Sequence, residues 1–240
     1  GSTAHVAHTA HVRVVGVEDG ETVTRHGLDD DLLQRLAMLV VELHRGSEIS
    51  ADARGAQRLQ DVVDGNLASM AVFPEIIEPV VAQNLTDRIT ALITESRDLL
   101  DARARGGRVR HCHGDLHLGN VAIIDGEPIP FDCLEFDAEL ATTDVLYDLA
   151  FLVMDLWARG LRHEANVVAN TYFDHATCDG SIDDEEAFRL LPVLLAVRAT
   201  VRAHVAAAEH DVERAHEYLA LALGFTDFSL PQLVAIGGGS

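Results

Sequence analysis

The sequence predicts an α+β, mainly helical fold with a small β-hairpin near its middle. Three observations predict it. Apolar residues recur at helical spacing on both sides of the chain's centre. Short β-branched runs cluster between Val109 and Cys133. Asp125-Gly126, a strong turn dipeptide, separates two of those runs.

The elements follow in order. Val12, Val14, Val15 and Val17 suggest a strand fragment, with a turn at Asp19-Gly20. Asp29 to Asp31 can cap a helix whose apolar face is Leu32, Leu33, Leu36, Leu39, Val40 and Leu43, closing near Gly46. A second helix is expected from Ala56 to Ala71, stopping before Phe73-Pro74. A third runs from Ile77 to Arg105, as one helix or two, and ends at Gly106-Gly107. Val109 to Cys112 reads as a strand, and Val121–Ile124 with Pro128–Cys133 as a hairpin. Helices are then expected over Ala141–Arg159, Arg162–Thr177, Glu185–Glu209 and Val212–Leu223. Phe151, Met154 and Trp157 read as core, and Asp183 to Glu186 as an acidic helix start.

Composition narrows the function. The chain has 240 residues, 48% of them hydrophobic and 24% charged, as expected of a globular protein of one or two domains. Its charge is 18 − 39 = −21, which argues against nucleic-acid partners and electrostatic membrane docking. All 18 basic residues are Arg, so Schiff-base chemistry and any phosphate-anchoring lysine are excluded from this chain. Cys112, Cys133 and Cys178 are few and widely spaced, which suggests a reduced, cytoplasmic setting. No apolar run is expected to approach the roughly 20 residues of a membrane span.

The densest chemistry lies in His111-Cys112-His113-Gly114-Asp115-Leu116-His117-Leu118-Gly119-Asn120, followed by Asp132 within Phe131-Asp132-Cys133-Leu134-Glu135-Phe136. An Asp, an Asn five residues on, and a second Asp after a hairpin is the spacing used for phosphoryl transfer. One carboxylate handles the acceptor hydroxyl, and the other two side chains hold Mg²⁺ against phosphate oxygens.

At these residues the chain resembles the aminoglycoside phosphotransferase and choline kinase-like superfamily, in the branch where such a domain precedes a P-loop ATPase. The resemblance extends from about Leu28 to Ser240 and also takes in Asp61–Met70 and Asp144–Asp155. It implies Asp115 as catalytic base, Asn120 and Asp132 as metal ligands, His113 as a loop-fixing residue, and Asp144 and Asp148 as structural anchors. It also implies an N-terminal arm or remnant over 1–27, a kinase-like C-terminal lobe over 28–231, and a linker tail or the start of a P-loop strand over 232–240. The nucleotide-binding lobe is then expected to be missing, and ATP is not expected as a cofactor.

An uncovered lobe of this kind suggests metal-dependent hydrolysis of phosphoesters or phosphotriesters. His113, Asp115, His117, Asn120 and Asp132 would hold one divalent ion (Zn, Mn or Mg), and its activated water would attack phosphorus. Asp115 and His117 are the expected catalytic pair, with Glu135 and Asp137 in reserve. The alternative is the acceptor-binding half of a small-molecule phosphotransferase, and an inert binding fragment is a third. Net charge −21 suits a cationic acceptor. A homodimer is expected, because loss of a covering lobe exposes apolar surface. His5, His8 and His11 read as part of the arm, and Arg198 and Arg202 as partners of carboxylates.

Overall fold

Asp29 accepts the Leu32 N–H at 2.8 Å and starts the first helix, α1, over Asp30–Gly46. The computed structural model describes residues 12–14, 28–134, 141–176 and 187–227. Helix α2 (Gly55–Met70) follows, then α3 (Pro79–Glu95) and α4 (Arg97–Arg105). The stretch read from Ile77 to Arg105 is therefore two helices, broken at Ser96. Pro79 opens α3, where a missing N–H leaves nothing unpaired.

The strands are short. A strand β1 (Val12–Val14) pairs antiparallel with β3 (Val121–Ile124), which pairs with β4 (Glu127–Pro130). At least these three residues of the segment read as an arm belong to the sheet. Asp125 and Gly126 both adopt positive φ, 53° and 89°, as a two-residue hairpin turn requires. Between α4 and the hairpin, β2 (Val109–His111) pairs with β5 (Thr142–Asp144), a crossing of the loop region. The helix expected from Ala141 thus starts later. Thr142 to Asp144 form a strand, and Asp144 caps α5 (Val145–Ala158) by accepting the Leu146 N–H at 2.8 Å.

The rest is helical: α6 (Arg162–Ala176), a 3₁₀ turn at Phe188–Leu190, α7 (Leu191–Ala208) and α8 (Val212–Thr226). Helices α5 and α7 are buried almost all round and form the centre of the core, with α8 packed on α7 and α6 on α1. Phe188–Ala208 is a correction. It is 21 residues long with mean hydropathy 1.5, so by length and composition it could cross a bilayer, although Arg189, Arg198 and Arg202 break up its apolar run. Most of it (78%) is buried inside the protein instead, as expected of a core helix.

The α+β, mainly helical architecture matches the sequence reading. Glu135, Asp137, Cys178, Asp183 to Glu186, the His5, His8 and His11 stretch, and residues 228–240 lie outside the described residues.

Candidate active site

The loop between β2 and β3 carries Asp115, His117 and Asn120 and folds back on itself. His117 N–H donates to the Asp115 carbonyl at 3.1 Å, and Asn120 N–H to the His117 carbonyl at 2.9 Å. This sets the Asn120 amide over Asp115. Its Nδ2 donates at 3.0 Å to both the Asp115 carbonyl and Asp115 Oδ2. Both neighbours are acceptors, so the amide orientation is fixed and Oδ1 turns away.

His117 is oriented just as firmly. The Gly119 N–H donates to Nδ1 at 3.0 Å, so Nδ1 carries the lone pair and Nε2 the proton. Nε2 lies 3.5 Å from Asp115 Oδ2, and the ring packs on Phe151 with centroids 5.2 Å apart. Burial opposes ionisation of Asp115, but the His117 contact, then Arg198 and the Asn120 amide, hold its carboxyl below the usual range. Asp115 is therefore a carboxylate at neutral pH with one oxygen already engaged.

Beneath the loop is a buried scaffold. Asp148, from the first turn of α5, accepts the Gly114 N–H at 2.8 Å and the His44 Nε2–H at 3.2 Å. His44 Nδ1 meets the Tyr172 hydroxyl at 2.8 Å. Arg198, from α7, donates to the Gly114 carbonyl at 3.2 Å and the Tyr147 carbonyl at 3.1 Å, with its guanidinium 3.8 Å from the Tyr147 ring centroid. Asp155, one turn from the end of α5, accepts the Leu118 N–H at 3.0 Å. Helices α5 and α7 thus grip the loop at Gly114 and Leu118, and His44 of α1 braces Asp148 from behind. Gly114, at φ +82°, is where the chain turns.

The predicted site residues fare differently. Asp115, His117 and Asn120 are brought together. His113 does not join them; its Nε2 lies 3.0 Å from the Phe131 carbonyl and its own carbonyl accepts the Leu134 N–H at 3.0 Å. It straps the segment carrying Asp132. Phe131 N–H donates to the Asn120 carbonyl at 2.9 Å, so Asp132 lies one residue beyond that pairing. Asp132 is exposed, adopts φ +61°, and has no hydrogen-bond or ion-pair partner among the described residues.

Asn120 Oδ1 and the Asp132 carboxylate are oxygen donors of the kind a divalent metal takes. His117 fits less well, because its lone pair already accepts from Gly119. Among the described residues, the three His, Cys, Asp or Glu side chains whose donor atoms lie within 4.8 Å of one another are His44, Cys112 and Asp148, none of them a predicted ligand. That group is buried; His44 and Asp148 bond each other, the Cys112 thiol donates to the Thr143 carbonyl at 3.6 Å, and burial pushes that thiol well up.

Asp115 opens onto a cleft of about 700 Å³ between α2, α5 and α7. Apolar walls come from Val62, Tyr147, Phe151 and Leu194, and polar groups from Asn66 and His204. Sequence reasoning assigned Phe151 only to the core and did not single out Asn66. The buried Asn on an amphipathic helix was the available signal. Arg198 acts on backbone carbonyls, and its nearest carboxylate contact, Asp148 Oδ1, is at 4.0 Å.

A model of the phosphotransferase enzyme family matches residues 3–191. The chain belongs to that family. Its fold agrees: a glucosamine kinase structure superposes with TM-score 0.53 at 21% identity, covering 85% of this chain and 56% of that one. The same enzyme in complex with glucosamine, ADP and inorganic phosphate gives TM-score 0.54 at 20% identity, over 85% and 57% of the two chains. Uncharacterized proteins of Mycobacterium tuberculosis (strain H37Rv) and Mycobacterium bovis are 34% identical to this phosphotransferase-family chain over 132 residues, which are 53% of the chain. The aligned part is about a quarter of the length of those relatives, 25% in each case.

Proposed function

We propose that this chain is the acceptor-binding part of a small-molecule phosphotransferase, with Asp115 as the base. The observation that carries the reading is the Asp115 carboxylate, held by the Asn120 amide and facing a cleft large enough for a small polar molecule. In the transfer, the acceptor hydroxyl gives its proton to Asp115 as its oxygen bonds to the terminal phosphorus of a nucleoside triphosphate. The bond from that phosphorus to the bridging oxygen breaks, and the diphosphate leaves with the electron pair.

Asn120 and His117 keep the Asp115 carboxylate oriented toward the cleft. Asn120 Oδ1 and Asp132 are the residues that would hold a divalent metal, which when bound neutralises phosphate charge. Asp61 and Asp115 line the cleft and favour a cationic acceptor, while Arg58 and Arg198 on the same walls are engaged by Asp52, Thr142 and loop carbonyls.

Metal-dependent phosphotriester hydrolysis is the competing reading. It needs several ligands around one ion beside Asp115, and the tautomer of His117 and the strap made by His113 favour transfer instead. The test is paired. Amine-bearing alcohols are titrated calorimetrically and assayed for phosphorylation with ATP and Mg²⁺. A chromogenic phosphotriester is assayed with and without Zn²⁺ or Mn²⁺. Acceptor binding that Asp115→Asn weakens supports the proposal. Metal-dependent triester turnover without acceptor binding overturns it.

A further inference from the structure

The wall of the cleft holds a polar pair that the transfer chemistry does not use. Asn66, on α2, is 6% exposed, and its Oδ1 lies 3.2 Å from Nε2 of His204 on α7. Its Nδ2 is buried with no hydrogen-bond partner among the described residues. A buried amide donor left unpaired is unfavourable and rare in folded proteins. The contact also orients His204. With Nε2–H donating to Asn66 Oδ1, the other ring nitrogen, Nδ1, keeps its lone pair. Desolvation of His204 disfavours the imidazolium, which has no lone pair to offer. Val62, Val201 and Leu194 make this wall apolar, and Ser69, one turn along α2 from Asn66, adds a hydroxyl.

We propose that Asn66 and His204 determine acceptor specificity by reading a neutral hydroxyl at the end of the molecule away from Asp115. His204 Nδ1 accepts the hydroxyl proton, and Asn66 is the positioning residue that sets the tautomer. The class selected is a polyhydroxylated ring or chain rather than a simple amino alcohol with one hydroxyl. The inference rests on the acceptor-cleft reading above.

Calorimetry on the full chain at about pH 6, where both amines are protonated, tests it with two probes of similar ring size that each carry a hydroxyl for Asp115, glucosamine and trans-2-aminocyclohexanol. The wild type should bind glucosamine about tenfold more tightly, the value of one well-made hydrogen bond. His204→Phe keeps an aromatic ring but removes the lone pair, and should bring the ratio to within about twofold without weakening trans-2-aminocyclohexanol. Asn66→Leu should do the same. In that variant the ¹⁵N shifts of His204 should also move from one tautomer to a mixture, which a merely structural role would not produce. If Asp115→Asn weakens both probes but the ratio survives His204→Phe, the Asn66–His204 assignment is overturned and the cleft reading stands. If neither probe binds the wild type, both fall.

Discussion

Gly114 donates its backbone N–H to the carboxylate of Asp148 at 2.8 Å, across 34 residues of chain. That bond ties the turn before Asp115 to the first turn of α5. It makes the position of the base depend on a buried charge that is itself satisfied from three directions, by Gly114, His44 and Arg198.

Asp148 should therefore govern acid stability. Burial opposes its ionisation, but the His44 hydrogen bond, then Arg198 and the Gly114 N–H, hold the carboxyl below its ordinary value. A depressed folded pKa means that the stabilisation is complete above the unfolded value of about 3.9. It is lost as pH falls below that, toward the folded value. Urea midpoints taken stepwise through the acid range should fall steeply for the wild type and more shallowly for Asp148→Asn. Asp148→Ala, which strands His44 and Arg198, should cost about 3 to 5 kcal/mol at neutral pH.

Gly114→Ala should destabilise the loop without touching a charge. Its φ is +82°, and an added Cβ would lie 2.8 Å from Leu134 Cδ1. Leu134 can move, but the backbone conformation stays unfavourable for a side chain. A loss of about 1 to 3 kcal/mol is expected in denaturant titrations. Acceptor affinity should drop as Asp115 shifts.

Asp115→Asn removes the proposed base while keeping the shape. Its side chain is 38% exposed, so global stability should change by less than about 0.5 kcal/mol. Phosphate transfer should fall by about 10² to 10⁴. Thermal melts beside product assays separate the two effects.

Arg103 and Asp144 form a buried two-pronged pair, Nε to Oδ2 and Nη2 to Oδ1, each 2.8 Å. Asp144 also caps α5, so the pair joins α4 to the helix that carries Asp148. Arg103→Met should cost about 3 to 5 kcal/mol. A double-mutant cycle with Asp144→Asn should show strong non-additivity, because each single change strands the other partner.

Much of this molecule is legible from the sequence alone. The apolar spacing of Leu32, Leu33, Leu36 and Val40 defines α1 because helix period and burial pattern are the same information. Asp125-Gly126 defines the hairpin because both residues tolerate positive φ. The closeness of Asp115 and Asn120 is legible from their spacing because a short loop holds residues near one another whatever the rest of the chain does.

Only the tertiary structure decides which way those side chains turn. His113 and His117 look alike in the sequence, yet one bonds the Phe131 carbonyl and the other accepts from Gly119 and faces Asp115. Thr142 to Asp144 read as helix, but β2 offers them a ladder, and long-range pairing outweighs local propensity. The scaffold of His44, Asp148 and Arg198, and the pairing of Asn66 with His204, join residues far apart in the chain. No local pattern encodes such contacts, since they exist only once α1, α2, α5 and α7 have packed and removed those polar groups from water.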